Sequence, residues 1–167
     1  MATPEPVVIV EYSPDWARQF EQIRTVLLAA LGGLALAVEH VGSTAVPGLA
    51  AKPIIDIDVV IAHPDDIDAV ELALAAIGYA YSGEQGTAGR HAFKQPPNLP
   101  RHHCYVCAAD SAELLRHMTF RDALRQDPRL AEQYSALKQE LAATFRDDRL
   151  GYSEAKTAFV EAVLGRS

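Results

Sequence analysis

Two carboxylates, Asp56 and Asp58, sit inside the apolar run Ile54-Ile55-Asp56-Ile57-Asp58-Val59-Val60-Ile61. In an extended strand successive side chains alternate, which puts Asp56 and Asp58 on one face and Ile55, Ile57 and Val59 on the other. Taking an ionised carboxylate off water costs several kcal/mol, and like charges on adjacent same-face positions raise each other's pKa. The pair must therefore be ion-paired, metal-bound or functional, and a divalent cation meets both costs at once. Twelve residues separate it from Gly42-Ser43. Glycine lets the backbone approach a phosphate, serine adds a hydroxyl donor, and N–H groups at a turn make an anion cradle. Carboxylates on one strand face can hold one or two Mg²⁺ ions that bridge phosphate oxygens. The same residues also read as a serine-capped turn followed by a strand whose aspartates pair with Arg or Lys, and the bare motif leaves both readings open.

Other side chains fall near this motif. Lys52 is either a solvated loop charge or a counter-charge for the aspartates and a phosphate. Arg90, preceded by Gly86 and Gly89, has the form of a phosphate fork on a loop, against the ordinary exposed arginine. His40 reads as a structural histidine that orients the turn or a ligand, and of His102 and His103 at most one can face the site. Arg121, Lys138 and Lys156 lie on helical stretches, where surface charge is the default. Cys104 and Cys107 form a C-x-x-C in a strand-like run, so they point oppositely and read as buried or half-buried free thiols rather than as metal or redox ligands. No Ser/His/Asp triad can be assembled, which makes Ser43 a binder rather than a nucleophile.

The elements that must position these groups follow from periodicity. Val7 to Val10 is a short β-branched run, and Ser13-Pro14-Asp15 opens a helix whose stripe is Trp16, Phe20, Ile23, Leu27 and Leu31, ended by Gly32-Gly33. Strands are expected from Leu34 to Val41 and from Ile54 to Ile61. Pro64-Asp65-Asp66 then opens a helix that Gly78 closes. Tyr79 to Ser82, His91 to Lys94 and His103 to Ala108 read as a meander of three short strands, with Gly83 to Arg90 and Gln95 to Arg101 as loops. Asp110 and Glu113 have the spacing of a capping box, Asp127-Pro128 starts a further helix, and a last helix is expected from Ser153.

At 167 residues the chain fits one domain, spanning 1–167, with a core large enough to need no disulfide. Neither an apolar run long enough to span a membrane nor a leader segment is present, which predicts a cytoplasmic protein with no membrane partner. With 15 basic against 22 acidic side chains the net charge is −7, which repels a phosphate backbone, so bulk nucleic acid is not an expected partner. A phosphorylated small molecule remains compatible, because a local cation cluster can reverse the field in a cleft.

The wording of His40-Val-Gly-Ser-Thr-Ala-Val-Pro-Gly-Leu-Ala-Ala-Lys-Pro-Ile-Ile-Asp-Ile-Asp resembles the hallmark of the GrpB family, a branch of the nucleotidyltransferase superfamily. Further matching residues run from Tyr12 and Trp16 through Gly89-Arg90, His102-His103 and Phe120-Arg121-Asp122 to Tyr134, Lys138, Tyr152 and Lys156. The resemblance implies an α/β (mixed α+β) fold, a nucleotidyltransferase-like mixed sheet flanked by helices with a helical C-terminal third. It implies Asp56 and Asp58 as catalytic, metal-holding residues for Mg²⁺ or Mn²⁺, with Gly42, Ser43, Thr44, Lys52, Arg90, His103 and Lys156 toward the phosphates of a nucleotide. The implied activity is nucleotidyl transfer to an unknown acceptor. The alternative is a non-catalytic phosphate-binding or accessory module, because related domains occur fused to dephospho-CoA kinase; a protein partner is compatible with either. Two departures stand out. Relatives often carry His-x-His where this chain has His103-Cys104-Tyr105, and the superfamily's third carboxylate is absent between Glu84 and Asp110, leaving Glu84 or His103 as the substitute.

Overall fold

The computed structural model describes residues 5–165. The chain runs α1 (Asp15–Leu31), β1 (Ala35–Val41), β2 (Ile55–Ile61), α2 (Ile67–Ala75), β3 (Ala80–Tyr81), β4 (His91–Lys94), β5 (His102–Ala108), α3 (Ala112–Gln126), α4 (Pro128–Thr144) and α5 (Arg149–Leu164). The five strands form one sheet in the order β1-β2-β5-β4-β3. Only the β2–β5 pair is parallel. The expected meander is therefore present, and its last strand joins the aspartate-bearing one.

Alternation along β2 sorts the side chains as expected. Ile55, Ile57, Val59 and Ile61 are fully buried in one cluster with Trp16, Phe20, Ile23, Leu27 and Leu31 of α1 and with Val70 and Leu74 of α2. Each such side chain contributes about 1.5–3 kcal/mol of burial. The opposite face carries Asp56 and Asp58 and meets the C-terminal helices instead. A second cluster joins Val46 and Leu49, just past the Gly-Ser turn, to Leu124, Leu130, Tyr134 and Val163 of those helices. Arg125 Nε donates to the Ala45 carbonyl at 2.9 Å and Ser135 Oγ accepts from Ala50 N at 3.1 Å, so the turn and the helical third are fixed to each other.

Three local expectations are corrected. Val7 to Val10 is not a strand: it meets no strand edge, and its bonds go to Ala51 by a single bridge at Val10 and to the Arg146 carbonyl from Val7 N. The cap of α3 is Ser111, whose hydroxyl accepts from Leu114 N at 3.3 Å, one residue after the expected Asp110. Helix α5 starts at Arg149 rather than Ser153, capped by Asp148, whose carboxylate accepts from Gly151 N at 2.9 Å. Gly151 lies inside the first turn, where a Cβ would crowd the Asp148 and Phe145 side chains.

Candidate functional site

The parallel register of β2 and β5 decides what surrounds the aspartates. His103 lies opposite Asp56 and Tyr105 opposite Asp58, so all four share the face turned from the α1–α2 core. The neighbouring strand thus presents an imidazole and a phenol where a third carboxylate was sought. Since an ionised carboxylate only accepts, His103 donates from Nδ1 to Asp56 Oδ1 at 3.0 Å. His117 of α3 donates from Nδ1 to Asp58 Oδ2 at 2.6 Å, and its Nε2 stands 3.8 Å from Glu113. Asp56 is partly exposed. Asp58 is 1% exposed, and its Oδ1 has no hydrogen-bond partner among the described residues.

Gly42 ends β1 with φ +72°, and a Cβ on it would run into the Asp56 carboxylate. Only glycine lets the turn lie against that group. His40 meets Thr44 Oγ1 through Nε2 at 2.9 Å and stacks on Phe20 with centroids 4.6 Å apart. Burial, helped by the Arg125 charge, lowers its pKa to about 4, so a neutral ring orients the turn as expected.

Beside the turn and Asp56 opens a cavity of about 150 Å³, whose wall includes Ser43, Thr44 and His103 together with Lys52, Lys138 and Lys156. The lysines come from three places: the loop before β2, α4 and α5. Lys52 and Lys156 place Nζ 4.7 and 4.5 Å from the Tyr152 ring centroid, and Lys138 Nζ lies 4.8 Å from that of Tyr134. Lys138 is 2% exposed, and its ammonium has no hydrogen-bond acceptor among the described residues. Burial, then the charges of Lys156 and Lys52, lower its pKa to about 7; burial and Lys52 lower that of Lys156 to about 8. Burial and the Arg149 charge also lower that of Lys52. Among the described residues Asp56 is the single carboxylate on the cavity wall.

Gly42, Ser43, Thr44, Lys52, Asp56, His103 and Lys156 are thus brought together. Arg90 is not on this wall: its guanidinium lies 3.6 Å from the Tyr105 ring centroid, beyond the aspartates. Glu84 is exposed in the turn before β4 and is absent from the cavity wall, which leaves His103 as the group beside Asp56. His102 faces the other way and bonds Tyr79 at 2.7 Å. The thiols of Cys104 and Cys107 are buried, and burial pushes both up to about 12.

Two expectations of surface charge are overturned. Lys138 is buried on the wall, and buried Arg121 ties α3 to β1 through Glu39 at 2.8 Å and the His40 carbonyl at 3.1 Å. Spacing held the signal for both. Lys138 follows Tyr134 by four residues and Leu130 by eight, on the apolar stripe of α4. Arg121 and the unnoticed His117 belong to the inward series Leu114, His117, Arg121, Leu124.

The donor set can be tested against a divalent ion. Asp58 is committed to His117 and closed to solvent, β5 offers no carboxylate, and among the described residues no three His, Cys, Asp or Glu side chains converge closely enough to hold a metal. The residues present do not fit a metal held by protein ligands alone.

The family model for the GrpB protein matches residues 6–166. The chain belongs to the GrpB family. One relative, the UPF0157 protein YqkA of Bacillus subtilis, is 34% identical over 155 residues, 93% of this chain; the chain spans 45% of that protein's length. The crystal structure of the conserved protein GrpB from Enterococcus faecalis superposes with TM-score 0.85 at 38% identity, covering 95% of this chain and 96% of that one. The Cid1 poly(U) polymerase with MgGTP bound shares the fold at TM-score 0.56 and 18% identity, over 81% of this chain and 44% of that one. The GrpB chain is thus nucleotidyltransferase-like in fold. A 77-residue stretch, 44% of this chain, is 42% identical to part of the dephospho-CoA kinase of Mycolicibacterium paratuberculosis, 19% of that protein. No helix among the described residues is long and apolar enough to cross a membrane.

Proposed function

We propose that this GrpB-family chain binds the phosphate tail of a nucleotide, or of another small molecule ending in adjacent phosphates, in the lysine-lined cavity beside Asp56. The observation that carries the reading is the convergence of Lys52, Lys138 and Lys156 on a space where, among the described residues, Asp56 is the single carboxylate and Lys138 Nζ has no acceptor. A buried charge without a partner is costly, and a polyanion removes that cost for three ammonium groups together. Size limits what enters: about 150 Å³ is below the roughly 300–1,000 Å³ of sites that enclose a whole small ligand, so the cavity takes the phosphates and leaves the remainder outside. The nucleotidyltransferase-like fold supports a nucleotide as the first candidate.

Calorimetry with the four nucleoside triphosphates and inorganic tripolyphosphate tests this. Loss of one charge-assisted contact is worth about 1.5–3 kcal/mol, so Lys156→Met should weaken binding by ~10–100-fold. If none of these compounds binds at millimolar concentration, the reading is wrong.

Transfer of a nucleotidyl group to an acceptor is the finer reading, supported by the Gly42-Ser43 turn lying against Asp56 next to the cavity. Incubation with triphosphates, Mg²⁺ or Mn²⁺ and a metabolite extract separates it from a binding or accessory module. Pyrophosphate release identifies a transferase, and tight binding without release identifies the module.

A further inference from the structure

We infer that Lys52, Lys138 and Lys156 stand in for divalent metal as the counter-charge of the ligand, and that Asp58 serves as the structural partner of His117. A polyphosphate then binds this chain at least as tightly without Mg²⁺ as with it. The inference rests on the reading of the cavity as a phosphate site, and goes beyond it in naming the bound species as the metal-free polyanion.

Three observations converge. Asp58 is 1% exposed, with Oδ2 taken by a 2.6 Å bond from His117 and Oδ1 enclosed, so a hydrated ion would have to shed water and part the packing around β2 to reach either oxygen. Mg²⁺ holds an octahedral shell of oxygens and loses water reluctantly, which makes that exchange unfavourable. The β5 positions facing the aspartates carry His103 and Tyr105, and a neutral nitrogen suits Mg²⁺ less well than oxygen.

The third observation is charge balance. Around the cavity stand three lysines against Asp56, which His103 already engages. Chelation in solution removes two negative charges from a phosphate tail, so the Mg²⁺ complex brings less charge to the ammonium groups than the free tail does. Lys138, 2% exposed and without an acceptor, can be satisfied by a phosphate oxygen but not by a cation. An added divalent ion in this space meets repulsion from three ammonium groups.

The deciding measurement uses the unaltered chain: calorimetric titration with inorganic tripolyphosphate in EDTA and again in excess Mg²⁺. The expected result is a dissociation constant in EDTA equal to or below that in Mg²⁺. Lys138→Met should weaken both by ~10–100-fold, and Asp58→Asn, checked for folding by circular dichroism, should leave both unchanged. Binding that requires Mg²⁺ overturns the inference and leaves the phosphate site standing. Absence of binding under both conditions overturns the inference together with the reading beneath it.

Discussion

A lysine that is 2% exposed, with an ammonium that finds no acceptor among the described residues, destabilises the ligand-free protein. Lys138 shares its surroundings with Lys156, Lys52, Asp56 and the Tyr134 ring, and its pKa falls from an ordinary 10.5 to about 7. The folded value lies below the unfolded one, so between about pH 7 and 10.5 the unfolded chain holds a proton that the folded chain does not. Stability therefore rises with pH across that window, and the full cost is felt below about pH 7. Methionine keeps the length and drops the charge. Lys138→Met should stabilise the ligand-free protein by about 1–4 kcal/mol at pH 6.5, the range found when buried ions give way to apolar groups, and by little at pH 10. Urea denaturation at the two pH values reads this directly. An equal gain at both would mean that Lys138 keeps an ordinary ionisation. The same residue shows why part of the site was illegible: its place on the α4 stripe is local information, but its convergence with Lys52 and Lys156 is made only by folding.

At the scale of elements, the chain announces most of its boundaries through residues with one strong local use. Proline and a carboxylate at Asp127-Pro128 start α4 where expected, with Asp127 Oδ1 accepting from Arg129 N at 3.0 Å and Leu130 N at 3.3 Å. Alternation placed β2, and Gly32 and Gly78 ended their helices as read. The misses differ in cause: the α3 cap passes from Asp110 to the adjacent Ser111, Asp148 caps α5 ahead of Ser153, and the Val7–Val10 run finds only a single bridge to Ala51. Asp127→Ala should cost about 1 kcal/mol and Asp127→Asn much less, because asparagine caps nearly as well. Chemical denaturation measures both, and tripolyphosphate affinity should not move, since Lys138 lies three turns beyond the cap. A loss in the asparagine variant equal to that in the alanine variant would show that Asp127 acts by charge rather than as a cap.

Across the whole molecule, a net charge of −7 coexists with a cleft whose wall is positive, and the two select together. The overall field discourages long polyanions, whose phosphates extend past the cleft, while the local field favours a short one that fits inside it. Composition showed the first and could not show the second, because net charge sums over residues without regard to place. The pairing has a thermal consequence. A ligand at a hundred times its dissociation constant stabilises by about 2.7 kcal/mol, which for a domain of this size corresponds to a rise of about 5–10 °C in Tm. Binding draws on the charged forms of Lys138 and Lys156, whose pKa values fall to about 7 and about 8. At a fixed tripolyphosphate concentration the rise should therefore be larger at pH 6.5 than at pH 9. Scanning calorimetry at the two pH values, each against its own ligand-free control, checks the difference. A rise equal at both would assign the binding to groups that stay charged throughout that range, and would remove Lys138 and Lys156 from the site.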